Sequence, residues 1–297
     1  MRYGTGVKLV LLAAFLWSLN GLLIRHIHDA GTWAVLFWRS AGMTPVLVAV
    51  IAWRSGGVIA PLVRVGWAGV LGGLGLVLAF GGAIYAFQAT TVANAVFLFS
   101  ASPFLAAILG WVILRESVRP TTWVAIALAG VGMFLMVREG LAAGAIAGNV
   151  AALLSALGFA GFTIALRWGK LADMLPAVVL GGIFSMLAAA IMMLVQGQTP
   201  WVPVPDALIA LGMGAGILAA GMALYTAGSQ VLPAAELTLL SMIEVLLAPI
   251  WVFLVLGETA TAGTFVGGAV LLVAVCFNAL SGSWRRASPF TPPAPKG

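Results

Sequence analysis

Long apolar stretches separated by short polar links recur along the whole of this chain. A helix needs about 20 mostly apolar residues to cross a bilayer. Ten stretches of that length fall at about 7–25, 32–53, 66–87, 92–114, 121–138, 146–167, 174–195, 206–228, 234–256 and 262–281. The links between them are punctuated by Gly, Pro and charge, as in Arg54-Ser55-Gly56-Gly57, Arg119-Pro120 and Gln198-Thr199-Pro200. The pattern predicts an all-α integral membrane protein of ten transmembrane helices.

The second five stretches repeat the first five at a constant offset of 142 residues. That offset superposes Arg25 on Arg167, Gln88 on Gln230, Glu116 on Glu258 and Thr122 on Thr264. It also carries Leu105, Ala106 and Ile108 onto Leu247, Ala248 and Ile250. A match held at one spacing across half a chain is the mark of an internal duplication. Five spans is an odd number, so the two copies must face in opposite directions. Inverted five-helix repeats of this kind build secondary transporters. The expected units are residues 1–142 and 143–282, followed by a Pro-rich, disordered cytoplasmic tail at 283–297.

Composition closes off other classes. Of the residues, 63% are hydrophobic and 7% charged, with a mean hydropathy of +1.15. A soluble domain carries roughly 25% charged residues, so this chain's outer surface must face lipid. Lys and Arg in short loops collect on the cytoplasmic side of a membrane. With the N-terminus inside, that side holds Arg2, Lys8, Arg54, Arg64, Arg115, Arg119, Arg167, Lys170, Arg285, Arg286 and Lys296, against Arg25 and Arg138 outside. Both termini are therefore expected in the cytoplasm. The net charge of +6 is this bias, and nothing in it calls for nucleic acid. The one cysteine, Cys276, lies in an apolar run.

The duplicated unit, Asn94-Ala95 and Ser102-Pro103 in the fourth helix, and a Glu closing the fourth and ninth helices resemble the EamA branch of the drug/metabolite transporter superfamily. The resemblance spans residues 7–281, and the chain looks most like that branch's bacterial aromatic amino acid exporters. It implies a bacterial inner-membrane protein, a cavity between the repeats and a small-molecule cargo such as an amino acid. One departure stands out. The family's ninth helix usually carries Glu-Pro, whereas here Val245 follows Glu244 and the proline is Pro249.

Candidate chemistry is sparse. Glu244 falls near the middle of the ninth helix, where a charged side chain costs roughly 2.5–3.5 kcal/mol and must face a cavity or a partner. It reads as a proton-coupling group, an anchor for a substrate ammonium, or a carboxyl bonded to Ser241 or Ser102. Arg39, seven residues into the second helix, either snorkels to the outer interface or binds a substrate carboxylate. Trp17 and Asn20 share a helix face. Tyr85 and Tyr225 end the third and eighth helices, with Gln88 and Gln230 just beyond. Trp17, Asn20, Tyr85, Ser102, Tyr225 and Glu244 form the expected substrate site, while Arg39, Gln88, Gln230 and Glu244 are candidates for gating or coupling. Glu116 and Glu258 are expected to pair locally, to bond freed amides at a helix start, or to form part of a gate. Pro45, Pro103 and Pro249 are expected to interrupt their helices as hinges. Trp33, Trp53, Trp67, Trp123, Trp201 and Trp284 fit an interfacial aromatic belt, and the glycines of the third and eighth helices fit close helix packing.

The sequence therefore reads as an alternating-access exporter of amino acids, aromatic or otherwise apolar, with no cofactor and no metal. His26 and His28 have no Cys or Glu at metal-ligand spacing. Two alternatives remain: a carrier of lipophilic cations or other metabolites on the same fold, and a membrane enzyme acting on lipid. The second lacks any acid, base or metal cluster.

Overall fold

The computed structural model describes residues 2–142, 145–171, 173–232 and 234–283, all of them in helices or short links. Among the described residues ten helices are long and apolar enough to cross a membrane: Tyr3–Ile24, Thr32–Ser55, Gly66–Ala89, Val92–Leu114, Pro120–Arg138, Ile146–Trp168, Leu175–Val195, Val204–Ser229, Glu236–Leu256 and Ala262–Ser281. They are numbered here as spans 1 to 10. Helices are forced on these segments because lipid offers backbone N–H and C=O groups no partner. The residues from 284 on, with Trp284, Arg285, Arg286 and Lys296, lie outside the described residues.

Eight spans close a ring in the order 1, 8, 2, 7, 3, 6, 4, 9, each packed on the next. Spans 5 and 10 pack on each other beside spans 4 and 9, with the Thr122 hydroxyl donating to Asn278 Oδ1 at 2.8 Å. Replacing each span by its counterpart five places along maps the ring onto itself, turned halfway round. Contacts 1–8 and 3–6 exchange, as do 1–9 and 4–6, and 2–8 and 3–7. That exchange is what two copies related by a pseudo-two-fold axis produce.

Because both lipid and interior are apolar, small residues rather than hydrophobic ones mark the buried faces. Span 3 lies backbone to backbone on span 6: a Cβ at Gly75 would sit 2.8 Å from the Gly158 carbonyl. Spans 1 and 9 run parallel in strict register. Tyr3 donates to Glu236 at 2.6 Å, Trp251 Nε1 to Ser18 Oγ at 2.9 Å, and Arg25 Nε to Glu258 at 2.8 Å, each pair 233 residues apart. Three bonds thus stitch these two helices together along their full length.

The hinge expectation needs correction. Span 2 runs unbroken through Pro45 and span 9 through Pro249. Pro45 is exposed on the outside of its helix. Only Pro103 adjoins an interruption: span 4 breaks at Ser100–Ala101 between Val92–Phe99 and Ser102–Leu114. Pro103 lies in the first turn of the second piece, where a missing N–H is harmless. Two irregularities occur without proline. Span 1 breaks at Leu19, and span 8 carries a π-helical segment at Met213–Ala219. A short exposed helix, Ile59–Arg64, also occupies the link after span 2.

Candidate functional site

The break at Leu19 and the glycines of span 8 build an aromatic pair. Trp17 stacks on Tyr225 with ring centroids 5.4 Å apart and planes tilted by 40°. Gly221, one turn before Tyr225, makes room for it, since a Cβ there would run into the indole nitrogen of Trp17. Asn20 Nδ2 donates to the Trp17 carbonyl at 2.9 Å. This leaves two buried polar atoms without a hydrogen-bond partner on one helix face, the Trp17 Nε1 donor and the Asn20 Oδ1 acceptor. Buried polar groups are nearly always bonded, so an unmatched donor and acceptor beside an aromatic pair are disposed to receive a flat ligand with polar ends.

Glu244 is half-buried in span 9, and no described cation lies within 4 Å of it. Ser241 turns its hydroxyl to the Thr238 carbonyl instead. From the register between spans 1 and 9, Glu244 lies level with Leu11. That is about 9 Å along the axis from Trp17, at 1.5 Å per residue. Ser102 opens the second piece of span 4.

Arg39 does not snorkel. Its residue is 3% exposed, its guanidinium lies 5.1 Å from the Phe80 ring centroid, and Nη2 donates to the Phe80 carbonyl at 3.3 Å. The cause is packing. A Cβ at Gly214 would collide with the Arg39 carbonyl, so span 8 presses against span 2 and the side chain extends across to span 3. No described acid pairs with it. An unpaired charge at such depth costs roughly 2.5–3.5 kcal/mol on insertion scales. One cation–π contact returns about 0.5–2 kcal/mol.

The remaining expected residues stand elsewhere. Tyr85, 42% exposed, lines a cavity of about 410 Å³ with Thr32, Trp33, Gln196 and Gln198. Gln88 accepts from Thr32 Oγ1 at 2.6 Å and donates to the Ala30 carbonyl at 3.2 Å, tying a loop down. Gln230 is exposed at the opposite end of the molecule. Trp53, Trp67 and Trp201 are strongly exposed, as a belt requires.

What the sequence left unpaired is the relation between the repeated charges. Arg25 binds Glu258, and Arg167 binds Glu116. Each pair joins the first half of the chain to the second, and each is the other's counterpart at the 142-residue offset. They close opposite ends of the ring. Glu258 also accepts the Val92 N–H at 2.6 Å, at the start of span 4, and Arg25 also donates to the Thr90 carbonyl at 2.7 Å. Side chains of this pair are 24% and 18% exposed, against 49% and 39% for Arg167 and Glu116. The tied end carries a polar cavity of about 390 Å³ lined by Arg25, Gln88, Thr90, Asn94, Glu258 and Thr264 among others. Asn94 bonds Asn149 of span 6 beneath it. The offsets of Arg25 and Glu116 were visible in the sequence; crossing them between repeats was the missing step.

Comparison with known proteins agrees with this architecture. Human solute carrier family 35 member G1 is 25% identical over 303 residues, covering 96% of this chain and 81% of that protein. One crystal structure superposes with a TM-score of 0.65 at 16% identity, over 94% of this chain and 99% of that one; at this identity the likeness is one of fold. Residues 4–138, which hold the first five spans apart from Tyr3, match the EamA-like transporter family.

Proposed function

We propose that this chain is a secondary transporter that moves amino acids, aromatic or other apolar ones, by alternating access between residues 1–142 and an inverted second unit at 143–282. One observation carries the reading: the crossed ion pairs Arg25–Glu258 and Arg167–Glu116 join the two units at opposite ends. A carrier that opens to one side at a time needs such a closure at each end, formed between the parts that move. The irregularities support this reading because they are not shared by the counterparts. Span 1 is broken where span 6 is continuous, span 4 where span 9 is continuous, and span 8 is π-helical where span 3 is not. Two copies of one unit held in different shapes can exchange those shapes.

Trp17, Asn20 and Tyr225 receive the cargo's flat part, with Glu244 as an ammonium anchor or proton carrier about 9 Å away along the helix axis. The charge bias of the loops supports a topology with the Arg25 end outside and the termini inside, and the family resemblance supports a bacterial inner membrane. The test is uptake of labelled phenylalanine, tryptophan, methionine and threonine into proteoliposomes, with and without an imposed pH gradient. Uptake of phenylalanine or tryptophan is expected. Accumulation above equilibrium under the gradient makes the carrier proton-coupled, with Glu244 the first residue to mutate, and equilibration alone makes it a facilitator in which Glu244 is a binding or structural group. No uptake of any of the four, with transport of a lipophilic cation such as tetraphenylphosphonium, overturns the amino acid reading.

A further inference from the structure

We infer that Arg39 is the specificity-determining residue of this transporter and receives an anionic carboxylate, so that the cargo is selected by its carboxylate and the ammonium is dispensable. This rests on the transporter reading above and goes further by naming which pole of the cargo is read. The guanidinium is an extended fork of N–H donors with no acceptor of its own. Here one donor is used, on the Phe80 carbonyl, and Nε has no partner. The residue is 97% buried by its 3% exposure, and no described carboxylate lies within 4 Å. A structural arginine at this depth would be matched by an acid; this one is matched by an aromatic face and a single carbonyl.

Two further orphan groups stand close by in the helix register. Spans 2 and 7 run antiparallel, for Trp38 Nε1 reaches the Pro200 carbonyl while a Cβ at Gly182 would press on Thr44. That register sets Ser40, one turn before Thr44, level with Ser185, about one turn after Gly182. The hydroxyls of both serines are buried and without a partner. Charge and hydrogen-bonding capacity are thus concentrated where spans 2, 3 and 7 meet, and all of it suits an acceptor. A carboxylate takes a guanidinium edge in a two-bond, planar contact that neither an ammonium nor a neutral ring can make.

The experiment is thermal melting of the purified, detergent-solubilised protein against 3-phenylpropanoate, which has the carboxylate and no amine, and phenethylamine, which has the amine and no carboxylate. Wild type is expected to be stabilised by 3-phenylpropanoate at lower concentration than by phenethylamine. Arg39→Met is expected to melt at least as high as wild type without ligand, because it removes an unpaired charge and keeps the volume. Its affinity for 3-phenylpropanoate falls at least tenfold while its response to phenethylamine is unchanged, and Arg39→Lys retains part of the affinity. Equal affinity of wild type and Arg39→Met for 3-phenylpropanoate overturns the inference. Should Arg39→Met not fold, wild type alone decides: tighter binding of the amine than of the carboxylate overturns it. If 3-phenylpropanoate binds through Arg39 but no amino acid is transported, the amino acid cargo fails and the carboxylate site stands. If amino acids are transported while Arg39→Met binds 3-phenylpropanoate as well as wild type does, this inference fails and the transporter reading stands.

Discussion

Trp17 shows how a single side chain is made available to a ligand. Its ring rests on Tyr225, its carbonyl is held by Asn20, and its N–H is left without a protein partner. An aromatic contact of this kind contributes about 0.5–1.5 kcal/mol beyond the area it buries. Trp17→Ala is therefore expected to raise KM roughly tenfold, the factor that corresponds to about 1.4 kcal/mol, with the protein still eluting as a single species. Glu244→Ala should lower transport by a comparable or larger factor. Unchanged kinetics in both folded variants would remove these residues from the site. Gly214 is the structural counterpart. Because a Cβ there meets the Arg39 carbonyl rather than a yielding side chain, Gly214→Ala is expected to cost about 1–3 kcal/mol, the usual penalty for overpacking, read as a lower melting temperature.

At the scale of the element, the informative feature is where helices stop being regular. The break in span 4 divides it into two pieces that both pack on span 6, the first also on span 9 and the second also on span 5. The Ser100 hydroxyl donates to the Phe97 carbonyl there at 2.6 Å, beside the Ser100 N–H that bonds the same oxygen at 3.1 Å. Pro103 favours ending one helix and starting another at this point. Pro103→Ala restores the N–H and should let span 4 straighten. Turnover is expected to fall several-fold with ligand affinity unchanged, measured by comparing binding with transport rates in one preparation. Equal losses in both would make Pro103 a packing residue. Pro45 and Pro249 make the contrasting point: a proline inside an otherwise favourable helix does not by itself interrupt it.

At the scale of the whole molecule, the crossed ion pairs differ in strength. Arg167–Glu116 is about half exposed, and exposed pairs contribute about 0–1 kcal/mol. Arg25–Glu258 is more buried and adds bonds to Val92 N–H and the Thr90 carbonyl, each of a kind worth about 1.5–3 kcal/mol with a charged partner. The Arg25 end is therefore the more firmly closed. Opposite substitutions should then move the molecule in opposite directions. With Cys276 replaced by Ser and Tyr225 by Cys, labelling by a membrane-impermeant thiol reagent from outside is expected to quicken in Glu258→Gln and slow in Glu116→Gln. The double exchange Arg25→Glu with Glu258→Arg should return the rate toward wild type. A shift of both single variants in the same direction would contradict a gating role.

How much of this was legible in the sequence follows from the solvent. Lipid demands long apolar helices, so the ten spans and their repeat at 142 residues were readable from hydropathy and offset alone. The observed ends depart from those expected mainly at the N-terminus, where span 1 starts at Tyr3, and elsewhere by no more than two residues. Trp17 and Asn20 stood out in the sequence because an aromatic and an amide share one face at mid-span, and Tyr225 because it ends the eighth helix; that Trp17 meets Tyr225 was set by packing. Tyr85 was expected beside Trp17, but it lines a different cavity, because its depth on span 3 says nothing about which neighbour it faces. The fate of Arg39 was beyond the sequence for the same reason. Whether a long cation reaches the interface or turns inward depends on the helix pressed against its backbone, and here Gly214 of span 8 decides it. Hydropathy thus determined the number and course of the helices, since it is set by each residue's own transfer from water. Only the tertiary structure decided which charges are crossed between repeats, which helices break and which polar atoms stay unpaired, because those depend on neighbours far away in the chain.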